Sequence, residues 1–226
     1  KKEKRLRGMH PSTKKKFEDF LKVSSEFKLG QLDTEKSHLK TKNLSQLAKE
    51  NVGKAIDTVS EIDFNAVKIL EEQLGPIEEM REEIKKTFGL NGRVFICGCG
   101  ATGRLALTIE KLWIDECKAK NNNLSDRVVS FIAGGDVALI RSIENFEDFP
   151  EYGARQLMEL GFSKNDLLIS CTEGGETPFV IGATEKAMSV SKRVPFFLYC
   201  NRDEVLTRVA ARSRVLIQSS KVKPDI

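Results

Sequence analysis

Two glycine-rich segments of the chain carry residue types that could bind a phosphate group. The first reads GCGATGR, at residues 98–104, and follows a short run of β-branched and aromatic residues. A buried strand, a glycine loop and a helix that begins in this loop form a geometry that binds anions. The loop amides and the positive end of the helix dipole point at the anion, and glycine lets the backbone come close. The candidate contacts in this loop are Gly100, Ala101, Thr102 and Gly103.

The same segment also has the spacing G-x-G-x-x-G, which is typical of dinucleotide-binding loops but is weak evidence when it occurs alone. Such a site needs an acidic residue about 20 positions further on, at the end of the second strand, to bind a ribose hydroxyl. In this chain the second strand ends in the run 131–135, and Asp136 comes only after it. We therefore expect a phosphate ligand and no dinucleotide or other cofactor.

The second segment reads CTEGGETP, at residues 171–178, and repeats the design of the first. Two such loops on neighbouring strands can close on one phosphate, with threonine hydroxyls donating beside backbone amides. The alternative is a tight turn followed by a threonine that caps a helix without any ligand. The candidate contacts in this loop are Thr172, Glu173, Gly174, Gly175 and Thr177.

The chain around these loops alternates strands with helices from residue 93 onward. Continuous apolar runs predict five strands, at residues 93–98, 127–132, 166–171, 195–200 and 214–218. Apolar strands separated by helices are typical of a parallel sheet that is covered on both faces. We therefore expect an α/β fold with a doubly wound, five-stranded parallel sheet that is preceded by helices. Ligands of such sheets lie beyond the carboxyl ends of the strands, where both glycine loops are expected.

Three regions are expected along the chain. Residues 1–30 form a basic extension with one helix, residues 31–90 form a helical segment that packs on the core or on a partner subunit, and residues 91–226 form the phosphate-binding domain. The helical pattern of the second region is interrupted at Gly75–Pro76, where we expect a break or a kink.

Charge and cysteine content restrict the function further. The net charge of +4 is uneven, because residues 1–16 carry +7 and the remainder carries −3. We expect the basic tail to be a solvated arm, since no basic stripe or aromatic platform continues into the core to bind nucleic acid. The five cysteines match no zinc spacing, and their odd number suits no disulfide framework. No apolar run approaches the ~20 residues of a membrane span. From the cysteine pattern and the lack of a span, we expect a cytoplasmic protein without a metal site.

Together, GCGATGR and CTEGGETP on a parallel sheet resemble the SIS (sugar isomerase) phosphosugar-binding domain. Residues 133–136, 143–148 and 177–182 resemble the N-acetylmuramic acid 6-phosphate etherases and, equally, the related glucokinase regulatory proteins. The similarity begins near Leu32 and continues to the end of the chain, which we expect to be truncated there. The resemblance implies a phosphorylated hexose or amino sugar as ligand. It also implies a five-stranded sheet of the flavodoxin-type order, and a homodimer or a tandem pair of SIS domains.

The loops depart from the usual SIS pattern in one respect. The second loop commonly reads S-x-S-G-x-T, and the corresponding positions in this chain are Thr172, Gly174, Gly175 and Thr177. One hydroxyl is therefore lost, at Gly174, although its backbone amide remains. In the first loop, Thr102 takes the position of the usual serine.

The resemblance to the etherases implies roles for carboxylic acids. Cleaving a lactyl ether requires a group that removes a proton and a group that protonates the leaving oxygen. Glu147 is the preferred candidate and Glu144 the second choice. The other family glutamate falls on Leu112 in direct register, and only an extra helical turn would align Glu116 with it. We therefore expect a sugar-phosphate-binding or regulatory protein that acts on a protein partner. The alternatives are an etherase-like lyase and a sugar-phosphate isomerase.

Overall fold

The structure is a computed structural model that describes residues 16–21, 29–141, 143 and 145–218. Residues 16–21 are helical, and the rest of the basic tail up to residue 15 lies outside the described residues. No helix in the described ranges is long and apolar enough to cross a membrane.

A single parallel sheet lies at the centre of the described chain. Its strands are β1 (Val94–Gly98), β2 (Val128–Ile132), β3 (Leu167–Cys171) and β4 (Phe196–Leu198). Their order is β2–β1–β3–β4, which is the flavodoxin-type order over these four strands. Val94 of β1 pairs with Val128 of β2 on one side and with Leu167 of β3 on the other. The predicted α/β class and the parallel sheet are therefore confirmed.

Besides the helical residues 16–21, nine α-helices accompany these strands in the described ranges. They are α1 (Leu44–Glu50), α2 (Val52–Glu72), α3 (Leu74–Gly89), α4 (Gly100–Ala119), α5 (Val137–Ile140), α6 (Pro150–Glu159), α7 (Pro178–Val190), α8 (Asp203–Val209) and α9 (Ala211–Ile217). Short 3-10 turns lie at Leu29–Gln31, Asp33–Glu35, Leu39–Thr41 and Phe146–Asp148. The predicted helical break is confirmed, because α2 ends before Gly75–Pro76 and both residues lie in the first turn of α3.

The prediction of a fifth strand at residues 214–218 is wrong, because residues 211–217 form α9. Ser213 and Leu216 are both fully buried, and their spacing of three residues places them on one face of the helix. A short apolar run is compatible with a strand and with a buried helical face, and here packing decides for the helix. The Ser213 hydroxyl donates a hydrogen bond to the carbonyl oxygen of Gly175 at 2.6 Å, so α9 supports the second glycine loop.

Alternating side chains along the strands divide the core into two layers. On one face of β1, Val94 and Ile96 pack with residues of α3 and α4. On the other face, Phe95 and Cys97 pack with residues of α6 and α7. Because successive side chains of a strand point to opposite faces, this alternation is what a sheet with helices on both sides requires.

Helices α6 and α7 approach each other closely at two glycines. A Cβ atom at Gly153 would lie 1.9 Å from the carbonyl oxygen of Phe179, and a Cβ atom at Gly182 would lie 1.9 Å from that of Pro150. No side chain fits at either position. The two glycines therefore allow α6 and α7 to pack at this short distance, and this packing positions the loop that precedes α7.

The edge strand β2 is covered by a side chain from α4. The carboxylate of Glu110 accepts hydrogen bonds from the backbone N–H of Ser130, at 3.0 Å, and from the hydroxyl of the same residue. A backbone donor that would face outward from the sheet is thereby satisfied.

Candidate functional site

The first glycine loop leaves the central part of the sheet and becomes the first turn of α4. Gly100 has a φ of +50°, a conformation that favours glycine. A Cβ atom at Gly103 would lie 2.4 Å from Cγ1 of Ile132, so only glycine allows α4 to pack this closely on β2. The loop thus directs the N-terminus of a 20-residue helix toward the carboxyl end of β1. The unpaired amides of that helical turn can donate to an anion.

The hydroxyl of Thr102 is used inside this loop. It accepts a hydrogen bond from the backbone N–H of Cys99 at 3.1 Å and donates one to the carbonyl oxygen of the same residue at 2.8 Å. A hydroxyl has a single proton to donate. In this conformation a bound phosphate would therefore receive hydrogen bonds from the loop amides, and the direct role of Thr102 stays a prediction.

The second glycine loop brings two predicted contacts together. The hydroxyl oxygens of Thr172 and Thr177 are 2.8 Å apart, and Thr172 is buried. Thr177 is the residue before α7, but its side chain makes no capping hydrogen bond. Because the two hydroxyls share one hydrogen bond, one of their two protons remains for a ligand at the N-terminus of this 13-residue helix.

The carbonyl groups of Gly174 and Gly175 are held by side chains from other parts of the chain. Asn201 donates to the carbonyl oxygen of Gly174 at 2.9 Å, and Ser213 donates to that of Gly175 at 2.6 Å. Gly175 has a φ of +83°, and a Cβ atom there would lie 2.4 Å from Cδ2 of Leu206. Glycine is therefore required at residue 175. The hydrogen bonds from Asn201 and Ser213 hold the loop in this conformation.

Asn201 is a residue of the site that the sequence reasoning missed. It is fully buried in the loop after β4. Its side-chain oxygen accepts hydrogen bonds from the backbone N–H groups of Asp33 and Thr34, at 2.8 and 3.2 Å. Its side-chain nitrogen donates to the Thr34 hydroxyl and to the carbonyl oxygen of Gly174, both at 2.9 Å. The sequence does show a polar residue directly after the predicted strand at residues 195–200. Such a position lies at the edge of a parallel sheet where ligands bind, so Asn201 could have been identified from it.

The carboxylate of Glu176 folds back onto the second loop. A Cβ atom at Gly174 would lie 2.1 Å from Oε2 of Glu176, and this oxygen is buried without a hydrogen-bond partner in the described part of the chain. Burial raises the pKa of Glu176, and the carboxylates of Glu35 and Glu173 raise it further, against a hydrogen bond from its own backbone N–H that lowers it. Glu173 itself is exposed.

A cavity of about 220 Å³ opens on the other side of the first loop, beyond β1 and β2. It is lined by Gly100, Arg104, Ile132, Ala133, Ala138, Ile143, Asn145, Phe146 and Glu147. The preferred candidate acid, Glu147, therefore lines the same cavity as the first residue of α4. Asn145 beside it has a φ of +63°, which is uncommon for a residue with a side chain and forms the turn that carries Glu147.

Burial favours the neutral thiol form of the cysteines near this edge of the sheet. It raises the pKa of Cys99 to about 12, and the nearby carboxylate of Glu147 raises it as well. Burial likewise raises the pKa of Cys171 to about 11 and that of Cys97 well above its usual value. Because the thiolate is the reactive form, these shifts disfavour a nucleophilic role for the three residues.

Glu116, a further candidate acid, is not brought into the site. Glu116 lies in the last turns of α4, is exposed, and pairs with Lys120 at 2.6 Å. It follows Gly100 by 16 residues, which corresponds to ~24 Å along a helix. Glu144 lies outside the described residues. Leu112, which stands where the etherases have a glutamate in direct register, is an exposed apolar residue of α4.

The fold is similar to that of a phosphoheptose isomerase from Francisella tularensis, with a TM-score of 0.50 and 18% identity over 76% of this chain and 84% of that one. A family model described as glucokinase regulatory protein N-terminal SIS domain matches residues 76–188, which is half of the chain and includes both glycine loops. The chain therefore belongs to this family of SIS domains.

Curated relatives support the same assignment. An N-acetylmuramic acid 6-phosphate etherase from Aliivibrio fischeri (strain MJ11) is 34% identical over 180 residues, which covers 74% of this chain and 58% of the relative. One from Lactococcus lactis subsp. cremoris (strain MG1363) is 33% identical over 183 residues, with 80% and 59% covered. The chain thus spans less than two thirds of the length of these relatives.

Proposed function

We propose that this protein binds a phosphorylated hexose or amino sugar as a regulatory SIS protein. In this proposal the phosphate lies between the two glycine loops and the sugar ring extends toward the cavity that contains Glu147. The observation that carries the proposal is the adjacency of the two loops. They follow β1 and β3, which are neighbouring strands with Cys97 opposite Ser170 in the last pair of the ladder.

The chemistry of the two loops fits a phosphate. The N-termini of α4 and α7 both begin in these loops, so two sets of unpaired amides and two helix dipoles favour an anion there. The Thr172–Thr177 pair retains one hydroxyl proton for a phosphate oxygen. The backbone amides of residues 100–102 and 173–176 are the remaining proposed donors.

A binding and regulatory role is favoured over catalysis because no second acid lines the cavity of Glu147 among the described residues. Etherase chemistry needs two groups that exchange protons with the substrate. Glu147 could supply one of them, but Leu112 is apolar and Glu116 is remote from both loops. A regulatory protein of this kind needs only to bind the sugar phosphate and to change the activity of a protein partner. We propose both of these properties for this chain.

An etherase-like lyase is the second candidate function. It is favoured by the position of Glu147, which lines one cavity together with Arg104 and Gly100. In this cavity a carboxylate could remove or return a proton, and a guanidinium group could neutralise the negative charge of the ligand. A sugar-phosphate isomerase would also need a base, and Glu147 is the group in this cavity that could serve as one.

A thermal shift experiment tests the proposed ligand class. Glucose 6-phosphate, fructose 6-phosphate and glucosamine 6-phosphate should each raise the melting temperature, because a ligand that binds only the folded state stabilises it. The matching unphosphorylated sugars at the same concentrations should have no effect. An equal rise with NAD would favour a dinucleotide site, and no rise with any sugar phosphate would contradict the proposal.

A further inference from the structure

A carboxylate lies inside the loop that we propose as a phosphate site. The side chain of Glu176 turns back over Gly174 and fills the space beside its α-carbon, since a Cβ atom there would come within 2.1 Å of Oε2. Because Gly174 has no side chain, the carboxylate of Glu176 can occupy this space.

The side chains around this carboxylate do not stabilise its charge. Its Oε2 atom is buried and accepts no hydrogen bond from the described residues. The charged groups that face it are the carboxylates of Glu35, from the 3-10 turn Asp33–Glu35, and of Glu173, from its own loop. Arg202, from the start of α8, pairs instead with Asp33 at 3.0 Å. The favourable contribution comes from the backbone N–H of Glu176 itself.

The backbone N–H of Glu176 interacts with this carboxylate, and it is also one of the donors that we propose for the phosphate. A carboxylate and a phosphate are both anions, and two anions a few ångströms apart in a partly buried site repel strongly. The side chain of Glu176 and the phosphate of a ligand therefore compete for the same space and for the same backbone donor.

We infer that Glu176 closes the second loop to anions, and that a phosphosugar binds only when this side chain leaves the loop or becomes neutral. The inference rests on the proposed function. The side chain is flexible and can swing outward without moving the backbone, because its carboxylate is held by no other side chain in the part of the chain that the structure describes. Glu176 would then set both the affinity for the sugar phosphate and its dependence on pH.

The test is a calorimetric titration of the full chain with glucose 6-phosphate, with fructose 6-phosphate as a second probe. The wild type is compared with Glu176→Gln, which keeps the size of the side chain and removes its charge, and with Glu185→Gln as a matched control on the exposed side of α7. Each protein is titrated at about pH 5.5 and about pH 7.5. The phosphate ester itself titrates with a pKa of about 6, but it does so equally for every protein, so the ratio of dissociation constants at each pH is the informative quantity.

Glu176→Gln should bind at least about tenfold more tightly than the wild type at the higher pH, and this ratio should decrease at the lower pH, where the wild-type carboxylate takes up a proton. Glu185→Gln should change the dissociation constant by less than about threefold, because its side chain is exposed and lies outside both loops. Equal or weaker binding by Glu176→Gln at the higher pH would overturn the inference and leave the proposed function standing. Absence of binding by all three proteins would overturn the proposed function as well.

A second variant guards against an indirect effect of the glutamine. Gly174→Ser introduces a Cβ atom that cannot coexist with the observed position of the carboxylate, so it should expel Glu176 and supply a hydroxyl in its place. It should bind the sugar phosphate more tightly than the wild type at the higher pH. Weaker binding by Gly174→Ser, in a protein whose circular dichroism matches the wild type, would show that the carboxylate does not block the loop.

Discussion

The side-chain nitrogen of Asn201 donates a hydrogen bond to the carbonyl oxygen of Gly174 at 2.9 Å, although the two residues belong to loops that follow different strands. The side-chain oxygen of Asn201 accepts from two backbone N–H groups of the segment before the helices, at Asp33 and Thr34. One buried amide thus fixes the second glycine loop to a segment that lies about 140 residues earlier in the chain. The shape of the candidate site depends on that segment.

Replacing Asn201 with alanine should therefore destabilise the protein strongly. The substitution removes four hydrogen bonds and leaves buried backbone groups without partners, which costs ~1–3 kcal/mol for each unsatisfied group. We expect the free energy of unfolding, measured by urea denaturation, to fall by at least ~2 kcal/mol. Asn65→Ala is the matched control, because Asn65 is exposed on α2 and its removal should change stability by less than ~0.5 kcal/mol. Equal effects of the two variants would contradict this role of Asn201.

Replacing Thr177 with valine should weaken phosphosugar binding by about tenfold or more. The change removes one of two hydroxyls that are 2.8 Å apart at the N-terminus of α7, and a hydrogen bond to a charged group is worth ~1.5–3 kcal/mol. Calorimetric titration with glucose 6-phosphate measures the effect. Thr58→Val, on the exposed surface of α2, should leave the dissociation constant unchanged. An unchanged affinity in Thr177→Val would show that the phosphate lies elsewhere.

Without any ligand, Glu176→Gln should stabilise the protein at neutral pH. Burial raises the pKa of Glu176 in the folded state above its value in the unfolded chain, so between these two values the folded protein holds the proton more firmly. The stability that this group contributes is fully present below its unfolded-state pKa of about 4.3. It is lost as the pH rises through the higher pKa of the folded state. The melting temperature of Glu176→Gln should exceed that of the wild type near pH 7.5 and match it near pH 4. The same difference at both pH values would contradict a charge effect.

Gly182→Ala should destabilise the contact between α6 and α7. The added Cβ atom would lie 1.9 Å from the carbonyl oxygen of Pro150, so the helices must separate. Overpacking of this kind costs ~1–3 kcal/mol, which denaturant unfolding can measure. Gly89→Ala serves as control, since a Cβ atom at the end of α3 meets no atom within 4 Å, and alanine there should be neutral or stabilising by up to ~1 kcal/mol. Similar effects of both substitutions would argue against a close helix contact.

Incubation with N-acetylmuramic acid 6-phosphate should release no lactate, although the compound should bind. The reason is that no second acid lines the cavity of Glu147 among the described residues, since Leu112 is apolar and Glu116 is distant. An etherase from Aliivibrio fischeri provides the positive control. Lactate release by this protein that disappears in Glu147→Gln would instead support the lyase alternative.

The parts of the fold that the sequence predicted are those with strong local signals. Short apolar runs marked β1 and β3, and the two glycine loops follow them as expected. The break before α3 was likewise encoded locally, by Gly75–Pro76. These features depend on residues that are neighbours in the chain, so they can be inferred without knowing the tertiary structure.

The features that could not be predicted depend on distant residues. The run that includes Leu216 fits a strand or a helix by its pattern, and its burial against α7 decides for the helix. The hydrogen bonds of Asn201 join residues up to 168 positions apart, and no local pattern encodes such a pairing. Glu176 was visible as part of the loop sequence, but only the folded loop shows that its carboxylate lies over Gly174.

The hydrogen bonds between Glu110 and Ser130 have a consequence for solubility. β2 is an edge strand, and an edge with free backbone donors can add a strand from another molecule and begin an aggregate. The carboxylate of Glu110 occupies the central donor of this five-residue strand and presents a negative charge to any approaching chain. A single side chain on α4 therefore hinders strand addition at this edge of the sheet.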